Sequence, residues 1–288
     1  MTRQLHLLVI DPQNDFCDLP DAYRPLDPLS GARTAPALPV PGAHADMQRL
    51  ARLVEQGAGG LAGISVTLDS HHRYDIAHPT FWQRGDGSAV PPFTQITAAE
   101  VRAGAYRTRD PQAAARALAY LDQLEQAGRY TLMVWPVHCE IGSWGNAVHA
   151  DLRRAYDAWE DLHHTTVNFV IKGTNPWTEH YSAVQAEVVV PSDDATQLNR
   201  QLLGVLEQCE RVYIAGEAGS HCVKATTEHI VQHIDPAMIP RLVLLTDCMS
   251  PVTGFEDHYR QFVRDMQARG VQIASAADAV AELQANQG

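Results

Sequence analysis

Short apolar runs alternate with longer amphipathic stretches along the chain. Leu5–Ile10 (LHLLVI), Leu61–Leu68, Thr131–Trp135, Val167–Ile171, Val212–Ala215 and Leu242–Leu245 read as strands, and Val271–Ala274 as a short last one. These runs are rich in Val, Ile and Leu and barely alternate with polar residues. That is the pattern of strands covered on both faces, as in a parallel sheet under helices. Between them the spacing predicts helices over about His44–Gln56, Gln112–Gln126, Ala195–Gln208, Cys222–Gln232 and Asp257–Ala268, with Gly57, Gly128 and Gly270 at C-cap positions. Strand–helix alternation of this kind implies right-handed crossovers. The expected fold is a three-layer α/β/α sandwich with a mainly parallel six-stranded sheet. Pro and Gly cluster at 20–42 and 84–92, which read as long surface loops, and one domain is expected over residues 1–288.

Composition then narrows the function. With 288 residues, 45% of them apolar, the chain can bury a sizeable core. A formal net charge of -12 argues against nucleic-acid binding, which needs clustered Lys and Arg. No apolar run approaches the roughly 20 residues that span a bilayer, and the run in MTRQLHLLVIDPQNDF is too short for a signal peptide. The 5 cysteines, odd in number and irregularly spaced, do not form a disulfide framework. A reduced cytoplasmic compartment and a small-molecule partner are the expectation. The 14 histidines make a metal site worth seeking.

In an open α/β sheet, ligands bind beyond the carboxyl ends of the strands. Asp11 directly follows the first predicted strand, Asp69 and His71 the second, and Lys172 the fourth; His138 lies just past the third. Cys222 comes after the fifth, at the start of a predicted helix, with Gly216 and Gly219 allowing a sharp turn. A thiol at a helix N-terminus near a lysine is expected to favour the thiolate. The turn's backbone N–H groups are placed to bind a developing oxyanion. A cysteine nucleophile also needs a group that takes its proton and returns it to the leaving amine. Asp11 suits that role, with Asp15 a weaker rival, and the Lys172 ammonium would hold the carboxylate. Cys17, Cys139, Cys209 and Cys248 lack this context and read as core residues. In TLDSHHRYDIAHPTFW, Asp69 and His71 can face one ion, with His78 from the following loop and His138 from WPVHC. His72 competes for ligation. Carboxylate plus imidazoles suits Zn²⁺, Fe²⁺ or Mn²⁺.

These segments together resemble the isochorismatase-like cysteine hydrolases, in their nicotinamidase-like branch. LLVIDPQNDFC resembles the motif bearing the catalytic acid/base. VTLDSHHRYDIAHPTFW and WPVHCEIGSWG resemble the metal-ligand segments. VIKGTNPWTEHYSAV resembles the catalytic lysine segment and GEAGSHCVKATTEHI the nucleophile segment. All five occur in family order, and TDCMSPVTG extends the likeness toward the C-terminus. The resemblance implies a metal-assisted cysteine amidohydrolase with Asp11, Lys172 and Cys222 as catalytic residues. It implies Asp69, His71, His78 and His138 as ligands of one divalent ion. It also implies a cis peptide before Ala218, whose N–H would share the oxyanion hole with that of Cys222. The implied activity is hydrolysis of nicotinamide to nicotinate and ammonia through a thioester, the metal binding the pyridine nitrogen, and the implied assembly is a homo-oligomer. A related amidase for another small amide or carbamoyl compound stays open, as does a non-catalytic binding protein. Phe16, Phe81 and Trp82 are candidates for the pocket wall. The chain departs from the family pattern at Glu217, often aliphatic, at Ser220, often Asp, and in about fifty residues between His78 and WPVHC. That insertion, near 83–130, is a candidate lid or oligomer contact.

Overall fold

The structure, a computed structural model, describes residues 2–287. In chain order its main elements are β1 (Leu5–Ile10), α1 (Ala43–Gly57), β2 (Gly63–Asp69), β3 (Trp82–Arg84), β4 (Thr94–Ile96), α2 (Ala98–Arg102), β5 (Tyr106–Thr108), α3 (Ala114–Ala127), β6 (Leu132–Val134), α4 (Ala150–His163), β7 (Asn168–Lys172), α5 (Arg200–Glu207), β8 (Arg211–Gly216), α6 (Cys222–His233), β9 (Leu242–Leu245), α7 (Glu256–Ala268), β10 (Gln272–Ala274) and α8 (Ala276–Ala285). Six strands form one sheet in the order β10-β9-β8-β1-β2-β7, and every pairing is parallel. From β1 the chain moves one way through β2 to β7, then the other way from β8 through β9 to β10. With right-handed crossovers, α1 and α6 therefore cover opposite faces, which gives the expected α/β/α sandwich. The apolar composition of the central strands follows from this cover: all of Leu5–Ile10 is buried. The edge strand β7 is the exception, with Phe169 and Ile171 exposed.

Three expectations need correction. Leu132–Val134, read as a strand of the main sheet, instead pairs antiparallel with Thr94–Ile96 outside it. Its three residues are buried because Leu132 and Val134 pack in a second apolar cluster with Phe81, Trp82, Tyr120 and Leu121, while Met133 packs into the main core. The helix expected from Ala195 begins at Arg200, because the Asn199 side chain caps it by accepting from the Leu202 N–H at 2.9 Å. Helix α4 was not anticipated, although Leu152, Ala155, Tyr156 and Trp159 fall on one helical face and are buried. The region near 83–130 thus carries its own core, made by two antiparallel strand pairs and the anticipated helix α3. Within the described residues no helix is long and apolar enough to cross a membrane.

The second cluster makes a clean prediction. Phe81→Leu should lower stability by about 1–2 kcal/mol through lost packing. It should leave the Michaelis constant for a small amide unchanged, because Phe81 is fully buried in that cluster. Urea denaturation and steady-state kinetics check the two halves.

Candidate active site

The parallel register assembles the site. Asp69 lies beside Lys172 across β2 and β7, and Ile10 beside Gly216 across β1 and β8. Adjacent strand ends therefore present Asp69, Lys172, Asp11 and the turn that leads to Cys222. Direction reverses between β1 and β8, so Asp11 and Cys222 flank the crevice where such sheets bind ligands. Gly216 makes the close approach possible. Its φ is +116°, and a Cβ there would sit 2.0 Å from the Ile10 carbonyl oxygen. Gly216→Ala should cost at least about 2 kcal/mol of stability, measured by chemical denaturation.

Lys172 is the hub. Its buried Nζ lies 2.9 Å from Asp11 Oδ2, 2.9 Å from Asp69 Oδ1 and 3.7 Å from Cys222 Sγ, and it donates to the His180 carbonyl at 2.9 Å. Burial alone would lower the ammonium's pKa, but the Asp11 and Asp69 carboxylates outweigh it and hold Lys172 above the ordinary value. The other oxygen of Asp11 accepts from the Thr67 hydroxyl at 2.5 Å. Burial raises the Asp11 carboxyl despite the opposing charge of Lys172. Burial also raises the Cys222 thiol well above its usual range, again against Lys172. The expected thiolate is thus overridden, because a thiol removed from water gains less from one shared ammonium than it loses in hydration. The peptide bond Glu217–Ala218 is cis. Ala218 and Cys222 both line the cavity, and among the described residues neither backbone N–H donates a hydrogen bond.

The metal candidates converge beside this hub. Ligand atoms of buried His71, His78 and His138 lie within 4.8 Å of one another. Asp69 Oδ2 is 3.0 Å from His71 Nε2 and 3.4 Å from His138 Nε2, so Asp69 touches both the lysine and the imidazoles. His138 does not arrive from a sheet strand, as expected. A parallel bridge between His71 and Glu140 carries it in, with the His71 N–H donating to the Cys139 carbonyl at 3.0 Å. The donor set fits a divalent ion. His78 Nδ1 is buried without a partner, and burial, with His138 and His71 adding to it, pushes the His78 pKa down to about 3, which leaves a neutral imidazole. His138 Nδ1 lies 2.8 Å from the Pro136 carbonyl, and His71 Nδ1 lies 3.1 Å from Asp75 Oδ2. Such outer partners fix the tautomer of metal-binding histidines. His72 is exposed and drops out.

Sequence reasoning passed over several contributors. Asp75 is fully buried behind His71. Gln13 clamps Asp69, donating from Nε2 to its carbonyl and accepting from its N–H, both at 2.7 Å. Asp15, the rival acid, accepts from the N–H groups of Ala37 and Cys139 at 2.9 and 2.7 Å, which makes it a loop staple beneath His138. The departures from the family pattern are tied locally. The Ser250 N–H donates to Glu217 Oε2 at 3.2 Å, and Ser220 Oγ accepts from the Val252 N–H at 3.0 Å.

Beyond Cys222 lies a cavity walled by Phe16, Trp135, Tyr181 and His221 among others. The Phe16 ring lies 5.5 Å from that of His138. Phe81 and Trp82 are not in this wall. The Trp82 indole N–H donates to the Ile76 carbonyl at 2.7 Å within the second cluster, and the aromatic wall comes from Trp135 and Tyr181 instead. Glu179 also lines the cavity, with Oε2 buried and unpartnered and its pKa pushed by burial up to about 7. An E at that place in NPWTEHYS carries no motif meaning without the fold.

No family model matches the sequence, and no curated protein matches it. Solved structures do resemble the fold. An Acinetobacter baumanii nicotinamidase/pyrazinamidase is 19% identical over 96% of this chain and 98% of its own, with a TM-score of 0.61. The yeast nicotinamidase bound to the inhibitor nicotinaldehyde is 21% identical over 94% of this chain and 100% of its own, with a TM-score of 0.59. A Pyrococcus horikoshii pyrazinamidase in complex with zinc is 19% identical over 94% and 99%, with a TM-score of 0.53. At these identities the likeness establishes that this chain has the nicotinamidase/pyrazinamidase fold.

Proposed function

We propose that the chain is a metal-assisted cysteine amidohydrolase acting on a small amide, with nicotinamide the foremost substrate. The observation that carries this reading is the convergence of Asp11, Lys172 and Cys222, with Lys172 Nζ 2.9 Å from the carboxylate and 3.7 Å from the thiol. A buried carboxylate, ammonium and thiol in contact are costly as scaffold and useful as a nucleophile with its base.

In the proposed reaction, Asp11 takes the thiol proton as Cys222 Sγ attacks the amide carbon. Burial keeps the thiol protonated and makes Asp11 a stronger base than an ordinary carboxylate. The N–H groups of Ala218 and Cys222 receive the developing oxyanion. As the C–N bond breaks, Asp11 returns the proton to the leaving nitrogen, ammonia departs, and the acyl group remains on sulfur as a thioester. Asp11 then takes a proton from water as its oxygen attacks the thioester carbon. Cys222 recovers a proton when the acid leaves. Lys172 stays charged throughout and holds Asp11 against the thiol. Asp69, His71, His78 and His138 would hold a zinc, iron or manganese ion, whose Lewis acidity suits anchoring a ring nitrogen of the substrate.

Because Asp11 must be ionised to accept the proton and burial raises its pKa, kcat/KM should fall as pH drops through a value above 3.8, the ordinary aspartate value. A pH–rate profile checks this, and an acid limb at or below that value contradicts it. The activity itself is tested by ammonia release from nicotinamide, pyrazinamide, benzamide and aliphatic amides. A preference for nicotinamide supports the assignment, whereas a preference for another amide moves it to a related amidase on the same residues.

A further inference from the structure

A second cavity adjoins the first. Trp135, Tyr181 and His221 line both. Its outer wall includes Gln95, Arg129, Tyr130, Thr131 and Met133, all from the stretch between His78 and Trp135, the same region that departs from the family pattern. The insertion therefore does not simply cap the molecule. It builds a chamber against the residues that wall the nucleophile.

The chemistry of this wall is one-sided. Arg129, Lys224 and His258 face it, and no lining residue is a carboxylate. The carboxylates that pair with these cations lie outside the lining. Arg129 contacts Glu187 at 3.4 Å and Glu228 at 3.1 Å, and Lys224 contacts Glu228 at 3.0 Å. Behind them, Arg129 and Lys224 flank the Tyr130 ring, 5.4 and 5.3 Å from its centre. The Tyr130 hydroxyl is itself buried without a hydrogen-bond partner. A buried donor without an acceptor is costly unless something supplies one. Guanidinium and ammonium groups retain donor capacity beyond one carboxylate partner.

We propose that this outer chamber is a substrate subsite that takes a carboxylate carried on the far end of the amide substrate, received by Tyr130, Arg129 and Lys224. The inference rests on the amidohydrolase reading and extends it to a substrate class, primary amides with a distal carboxylate. The reaction is amide plus water giving the dicarboxylate and ammonium, with the carboxylate tail unchanged.

The test uses the full chain, loaded with divalent ion. Ammonia release is measured for succinamate, glutaramate and adipamate, each against the neutral amide of equal length, and for nicotinamide. At least one carboxylate amide should show a kcat/KM about tenfold above its neutral counterpart, the size of one good charge-assisted hydrogen bond. Tyr130→Phe and Lys224→Gln should each erase most of that advantage and leave nicotinamide turnover unchanged. No preference at any length, or a preference that survives both variants, overturns the proposal. A second arm titrates glutarate into the wild type and both variants by calorimetry, which reads the chamber without turnover. Binding that both variants weaken supports the subsite, and its absence from the wild type opposes it. If no amide releases ammonia while glutarate binds in this manner, the amidohydrolase reading fails and the chamber is a carboxylate site only, which overturns its role as a substrate subsite. If nicotinamide is hydrolysed but the carboxylate gives no advantage and glutarate does not bind, the subsite alone fails.

Discussion

Lys172→Met is expected to cost about 3–5 kcal/mol of stability and to abolish amide hydrolysis, because the substitution leaves two buried carboxylates without their cation. Lys172 Nζ bridges Asp11 Oδ2 and Asp69 Oδ1 at 2.9 Å each, and all three side chains are almost wholly inaccessible to water. Methionine fills a similar volume, so the loss reads charge rather than packing. The pH dependence separates this cause from a packing defect. Lys172 is held above 10.5, its ordinary value, so the stability it contributes is complete below that pH and is lost as pH rises through the higher folded value. Urea denaturation of wild type and variant should therefore give a gap that is constant near neutrality and closes at strongly alkaline pH. A gap that persists there unchanged would point to packing.

Much of this arrangement was legible in the sequence, for physical reasons. Buried parallel strands must be continuous apolar runs, so Leu5–Ile10 and Leu242–Leu245 could be placed to the residue. Reactive residues at strand ends then fall on one edge, which groups Asp11, Asp69, Lys172 and Cys222 from the sequence alone. What was not legible depended on non-local contacts. Leu132–Val134 has the composition of a central strand, yet its partner is Thr94–Ile96, and composition cannot name a partner. Phe81 and Trp82 sit next to the metal segment in sequence, but a side chain's neighbours are set by the second core, which turns them away from the cavity. Asp75, Gln13 and Glu179 act through hydrogen bonds or burial and belong to no spacing rule. The raised thiol of Cys222 follows from how deeply the helix start is buried, which a turn motif does not reveal.

The central claim is that Cys222 is the nucleophile of an amide hydrolysis. Cys222 lines the cavity, its thiol is within reach of Lys172, and the Asp11 carboxylate beside it is the proposed base. Removing the sulfur removes the covalent path altogether, and residues acting as one unit lose nearly all their effect when one is deleted. The most direct measurement is ammonia release from nicotinamide by the wild type and by Cys222→Ala, with folding and metal content matched. The account predicts release by the wild type and a rate at least about 10⁴-fold lower in the variant. A Cys222→Ala protein that releases ammonia at the wild-type rate would contradict it.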